Sequence, residues 1–116
     1  MKIVKALEAP EAPNPHGVSA RGLHDTEHVQ AVMVTLQPGE ALKLHVTPVD
    51  AFFYVLEGHG VIEIGDEREE VSADMLIVSP ARIPHRLLNE NENESDAVFR
   101  FLVVKTPRPT KATKIL

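Results

Sequence analysis

The sequence lacks cysteine, long apolar runs and any excess of positive charge. Without cysteine there are no disulfides, thiolate metal sites or cysteine nucleophiles, so histidine and carboxylate side chains are the remaining metal-binding groups. Because no run of about eighteen apolar residues and no signal-peptide pattern is present, we expect a soluble, cytoplasmic protein that does not span a membrane. Lysine and arginine number 12 against 17 acidic residues, and the net charge of −5 argues against nucleic-acid binding.

The length of 116 residues predicts a single domain with one core. Residues 1–28 are interpreted as an N-terminal arm: Met1–Leu7 alternates weakly and could add an edge strand, and Glu8–Pro15 is a connector with three prolines. Residues 29–105 are expected to form the domain proper. Residues 106–116, locally basic and containing two prolines, are expected to be a tail.

Short β-branched and apolar segments separated by turn residues run through the domain, without a convincing amphipathic helix. Seven or eight strands at such spacing predict an all-β sandwich or barrel. The predicted strands are 29–36, 41–47, 52–56, 61–64, 75–78, 86–88 and 97–104.

Two histidines are the main functional candidates. His45 lies within the predicted strand 41–47, and His85 follows a turn between two prolines. On a regular strand, Lys43, His45 and Thr47 would share one face. A polar row of this kind inside a barrel predicts a site for a small ligand.

The stretch from Gly39 to Gly60 resembles the first motif of the cupin family, and Pro80 to Asn89 resembles the second. In the first motif, Gly39, His45 and Gly58 match, whereas Thr47 replaces the second histidine and Ala51 the glutamate. The resemblance implies a cupin barrel, a double-stranded β-helix of the jelly-roll kind.

The second motif is also incomplete. Pro80, His85 and Asn89 match it, whereas Asp74 and Arg82 stand where the family has glycine. The resemblance covers about half of the chain and indicates a degenerate metal-binding motif.

In the family, the motif histidines and glutamate usually hold a divalent metal. Only His45 and His85 carry over, so the resemblance implies a divalent metal (Fe, Mn, Zn or Ni) that is weakly bound or absent. Asp50 is the nearest carboxylate, one position from the expected slot, and could complete a triad only if a bulge after Pro48 turned it inward. His59 lies beside a glycine turn and is expected to point away from the site.

Two functions are consistent with these residues. In the first, the pocket binds a small organic ligand, possibly an anion because Lys43 accompanies the histidines. The predicted pocket residues are Lys43, His45, Thr47, Phe53, His85 and Phe101. The alternative is an enzyme of dioxygenase, isomerase or decarboxylase type acting on a small oxygenated substrate with a metal.

An enzyme without a metal would use His45 or His85 as a general base, with Tyr54 as partner if it faced inward. Whether the protein is an enzyme stays open at this point. The strand 29–36 is apolar on both faces, so we also expect a homodimer.

Overall fold

A computed structural model describes residues 1–91 and 97–116. It contains ten strands and one short 3₁₀ helix, Ala6–Glu8. The strands are β1 (Ser19–Asp25), β2 (Gln30–Leu36), β3 (His45–Val46), β4 (Asp50–Glu57), β5 (His59–Ile64), β6 (Glu67–Ser72), β7 (Leu76–Ser79), β8 (His85–Leu88), β9 (Phe99–Thr106) and β10 (Lys114–Ile115).

The strands form two five-stranded antiparallel sheets. One has the order β1-β2-β9-β4-β7, and the other has the order β10-β3-β8-β5-β6. Neighbours in a sheet are mostly distant in sequence, as in the jelly-roll arrangement of the double-stranded β-helix. The all-β cupin barrel predicted from the sequence is therefore confirmed.

The core lies between the two sheets and is built from alternate residues of each strand. On β9, Phe99 and Phe101 are fully buried and Val103 packs against the same cluster. Leu36 of β2 and Leu87 of β8 are likewise fully buried. Side chains of a strand point alternately to opposite faces, so this pattern fixes which face of β9 looks inward.

The chain before residue 29 contributes more to the barrel than an arm would. Strand β1 pairs along its length with β2, with a register shift between Gly22 and His24. Residues 1–7 do not form the edge strand considered from the sequence; the 3₁₀ helix occupies the end of this stretch. The Arg21 guanidinium donates to the Ala9 carbonyl and attaches the preceding chain to β1.

Three strands escaped prediction because their sequences carry little apolar alternation. In β6, only Val71 is buried and the first four residues are exposed, so the strand has no apolar alternation by which to predict it. β1 contains Gly22 and several polar residues. β10 has two residues and pairs with β3 near the end of the predicted tail.

The predicted strand 41–47 is regular only at His45–Val46. Leu42 is buried while Lys43 and Leu44 are exposed, so the alternation expected over this segment is broken. The common face predicted for Lys43, His45 and Thr47 is not formed. Among the described residues, no helix is long and apolar enough to cross a membrane.

Candidate functional site

A cavity of about 170 Å³ lies between the sheets. Its wall is largely apolar and includes Val18, Val32, Val34, Leu42, Phe53 and Val103. Seven polar residues also line it: Asn14, His16, Gln30, His45, His85, Lys105 and Thr113. An apolar cavity with a few converging polar groups is the usual form of a small-molecule site.

His45 and His85 meet at the centre of this site, as the sequence analysis anticipated for a shared pocket. They face each other in register across β3 and β8. Both are buried, at 5% and 1% exposure, and their Nε2 atoms are 3.0 Å apart. The other ring nitrogen of each is also bonded, His45 Nδ1 to the Lys43 carbonyl at 2.6 Å and His85 Nδ1 to the Ser79 hydroxyl at 2.6 Å.

The two imidazoles are held uncharged at neutral pH. Burial lowers the pKa of His85 to about 3, and further lowering comes from the charge of Lys105 and from the repulsion that a protonated His45 would exert. Burial also lowers the pKa of His45, and its hydrogen bond to the Lys43 carbonyl opposes this only in part. Removing a cation from water favours its neutral form, which is the direction seen in both rings.

His16 is a third histidine at the cavity and was not among the predicted site residues. Its ring lies edge-on to His45 with centroids 4.7 Å apart. Its Nδ1 accepts the main-chain N–H of Lys43 at 2.9 Å. Burial and the neighbouring positive groups lower the pKa of His16 to about 4. Its position directly after the proline-containing connector gave no signal in the sequence, because only the tertiary fold brings it to His45.

Lys105 is another polar residue of the cavity that was not predicted from the sequence. It continues the inward alternation of β9 after Phe99, Phe101 and Val103, and stands opposite Gln30 on β2 and Ala51 on β4. Its ammonium donates to the Thr113 hydroxyl at 3.2 Å. Burial lowers the pKa of Lys105, since desolvation opposes its charge. The inward period of β9 could have identified it.

Several predicted site residues lie away from the cavity. Lys43 is exposed, and its main chain, rather than its ammonium, contacts the histidines. Thr47 is buried, but its hydroxyl donates to the Val49 carbonyl. Asp50 is exposed and accepts the Ala81 N–H, and the register shift in β4 lies between Val55 and Glu57 instead. The bulge that would turn Asp50 inward is therefore not formed.

The aromatic candidates divide between the cavity wall and the interior. Phe53 lines the cavity and packs edge-on against His85, with centroids 5.2 Å apart. Phe101 is fully buried behind Phe53 and is a core residue. Tyr54 faces outward, where its hydroxyl donates to Asp74. His59 is exposed, so neither it nor Tyr54 reaches the histidine pair.

The residues at the family's metal-binding positions do not complete a metal site. Two of the four are imidazoles, Thr47 has its hydroxyl bonded elsewhere, and Ala51 offers no donor atom. Within residues 1–91 and 97–116, no three His, Asp or Glu side chains are grouped to hold an ion. The ammonium of Lys105, opposite Ala51, also makes the cavity unfavourable for a second cation.

The two departures in the second motif preserve backbone shape. Asp74 and Arg82 adopt φ values of 71° and 67°, a left-handed conformation that glycine enters without strain. Arg82 N–H donates to the Thr47 carbonyl, which fixes the turn before His85. The scaffold role of both glycine positions is therefore kept although the glycines are absent.

The profile of the Cupin domain family matches residues 32–105, more than half of the sequence. The chain belongs to the cupin family. No curated protein matches it.

Solved structures agree with this family. TT1209 from Thermus thermophilus is 30% identical, covers 94% of this chain with all of its own length, and superposes with a TM-score of 0.78. The polyketide cyclase RemF from Streptomyces resistomycificus is 21% identical over 100% of this chain and 85% of its own, with a TM-score of 0.82. A predicted oxalate decarboxylase from Thermotoga maritima is 19% identical over 91% and 99%, with a TM-score of 0.77. The similarity to the last two proteins shows a shared fold only.

Proposed function

We propose that this cupin barrel binds a small organic anion, a carboxylate with an apolar body, in the cavity between its sheets. The observation that carries the proposal is Lys105, an inward-facing ammonium on a largely apolar wall. Among the described residues, no carboxylate forms an ion pair with it, and its one hydrogen-bond partner is the Thr113 hydroxyl.

Electrostatics supports an anionic ligand. A partly buried ammonium without a counter-charge has lost part of its hydration, and a carboxylate entering the cavity would compensate that loss. The three imidazoles are neutral, so Lys105 supplies the positive charge at this site near neutral pH. A single cation matches a monoanion.

The remaining lining supports a compact apolar body for the ligand. Val32, Val34 and Val103 face the cavity from β2 and β9, and Phe53 and Leu42 face it from the other sides. At about 170 Å³ the cavity suits a molecule with few heavy atoms. Burying its hydrocarbon against these side chains would add to the affinity.

The alternative, a metal-dependent enzyme, has less support. It needs a third protein ligand beside His45 and His85. The position that supplies a glutamate in the family holds Ala51, and among the described residues His16 does not form an ion-binding group with the other two histidines. Elemental analysis of untagged protein would favour this alternative if it found one equivalent of iron, manganese, zinc or nickel.

Calorimetric titration with acetate, hexanoate and benzoate tests the proposal, with benzamide as an uncharged partner for benzoate. We expect at least one acid to bind, and benzoate to bind about tenfold or more tightly than benzamide. Lys105→Met should weaken carboxylate binding by at least about tenfold, since an ion pair with a partly buried group is lost. Lys2→Met removes an exposed lysine that does not line the cavity and is the matched control, which should bind as the native protein does.

Failure of all three acids to bind would contradict the proposal. Equal affinity for benzamide, or unchanged binding by Lys105→Met, would contradict the role given to charge.

The homodimer and the cytoplasmic location stay predictions. On the strand that suggested a dimer, Met33 and Thr35 are already buried within a single chain, so burial does not require a partner at these positions. Light scattering would measure the oligomeric state directly.

A further inference from the structure

The protons on the histidine cluster can be assigned from its hydrogen bonds. His45 Nδ1 lies 2.6 Å from the Lys43 carbonyl, which can only accept, so Nδ1 carries the hydrogen. In the neutral ring, Nε2 of His45 then carries no hydrogen and can only accept a hydrogen bond. Hydrogen positions follow here from the chemistry of the partners.

The same reasoning fixes His85. Its Nε2 lies 3.0 Å from Nε2 of His45, which bears a lone pair, so Nε2 of His85 carries the hydrogen and donates it to His45. Its Nδ1 is then an acceptor for the Ser79 hydroxyl at 2.6 Å. The opposite assignment would set two lone pairs against each other. Both rings therefore use all their nitrogen atoms within the protein and have no donor left for a ligand.

His16 has the opposite pattern. Its Nδ1 accepts the Lys43 N–H at 2.9 Å, so the hydrogen of the neutral ring is on Nε2. Among the described residues, no protein group accepts that N–H. The ring is half-buried and lines the same cavity as Lys105. One peptide residue, Lys43, thus sets both tautomers, with its N–H holding His16 and its carbonyl holding His45.

We propose that His16 is the imidazole that contacts the ligand, its Nε2–H donating to a carboxylate oxygen while Lys105 supplies the charge. His45 packs against the His16 ring and is itself hydrogen-bonded to His85. The inference rests on the proposed anion-binding function and identifies a specificity-determining residue in the segment before β1.

The chain around His16 is organised to hold it in place. Asn14 Oδ1 accepts the main-chain N–H groups of His16 and Val18, and its Nδ2 donates to the carbonyls of Ala12 and Val18. Four hydrogen bonds from one side chain define the loop without regular secondary structure. Asn14 is accordingly a positioning residue for His16.

Two measurements test the inference. In the first, two-bond ¹H–¹⁵N correlation spectra of ¹⁵N-histidine-labelled native protein near pH 7.5 should show the Nε2–H tautomer for His16 and His85, and the Nδ1–H tautomer for His45. An Nδ1–H tautomer at His16 would overturn the inference whatever the ligand.

The second measurement is titration of His16→Phe with whichever of acetate, hexanoate and benzoate binds the native protein best. Phenylalanine keeps a ring against His45 but removes both the Nε2–H donor and the Nδ1 acceptor of the Lys43 N–H, so we expect binding to weaken by about five- to tenfold. His24→Phe changes an exposed histidine of β1 and should bind as the native protein does.

The two proposals fail in distinguishable ways. Native-like binding by His16→Phe, together with weakened binding by Lys105→Met, would refute the role of His16 and leave anion binding intact. Absence of binding by native protein to all three acids would refute anion binding, and the ligand contact of His16 with it.

Discussion

The two ends of the barrel differ although the same strands build both. At one end, Gly58, Gly60 and Phe99 bring main chains and an aromatic ring into close contact. At the other, His16, His45 and Lys105 surround a cavity. We call these the closed end and the cavity end.

Strand β9 connects the ends and shows how the difference arises. Its inward residues run from Phe99 and Phe101 through Val103 to Lys105, so aromatic volume gives way to a smaller side chain and then to an ammonium. Dense packing makes the closed end rigid. The cavity end accepts polar groups because hydrogen bonds, rather than apolar contact, hold its residues.

The largest effect should come from adding one carbon at the closed end. In Gly60→Ala, the new Cβ would lie 2.3 Å from the Phe99 ring and 2.7 Å from the Leu88 carbonyl oxygen. We expect a loss of about 3 kcal/mol or more in the free energy of unfolding, because neither neighbour can move without disturbing the core. Urea denaturation measures this.

Gly22→Ala is the control for that change. Gly22 also lies in a strand, but nothing stands within 4 Å of its Cβ position. Its stability should change by well under 1 kcal/mol. Similar losses in the two variants would show that the closed end is less tightly packed than its geometry implies.

The next effect concerns pH at the cavity end. Below about pH 6.5 the unfolded chain protonates His16 and His85, whereas in the folded protein their pKa values are about 4 and about 3. The unfolded state therefore binds more protons than the folded state. The contribution of these histidines to the free energy of unfolding is fully present above pH 6.5 and is lost as the pH decreases. Between its folded and unfolded pKa values each histidine contributes a slope of at most about 1.4 kcal/mol per pH unit, and solvent screening makes the contribution of the half-buried His16 smaller.

Urea midpoints at pH 7 and pH 5 measure this dependence above the range where most carboxylates titrate. His85→Gln should lose roughly 2 kcal/mol less than the native protein between those values. His59→Gln replaces an exposed histidine and should retain the native dependence. An equally steep fall in His85→Gln would mean that His85 is not held neutral by burial.

The smallest effect is expected from Lys105→Met. Removing a partly buried ammonium that has no ion-pair partner among the described residues should raise stability by roughly 1 kcal/mol in the absence of ligand. Thermal unfolding without and with carboxylate would separate this gain from the lost binding. A clear loss of stability would indicate that Lys105 serves the fold and not a ligand.

The sequence by itself determined the class of fold and identified His45 and His85, two of the histidines that line the cavity. Strand spacing and the residues Gly39, His45, His85 and Asn89 predicted a cupin barrel, which the fold and the family match confirm. The sequence also shows that two metal-binding positions of the motif lack a ligand, because they hold Thr47 and Ala51. Patterns local to a strand or a turn are preserved in the sequence, so these features needed no coordinates.

Only the tertiary structure decided which polar groups share the cavity. His16 comes from a segment without periodicity. The inward period of β9 reaches Lys105, but no local rule places either residue beside His45. Lys43 was misplaced because alternation was assumed across residues 41–47, where just His45–Val46 form a strand. Contacts between segments distant in sequence depend on how the sheets close, which strand-by-strand patterns do not specify.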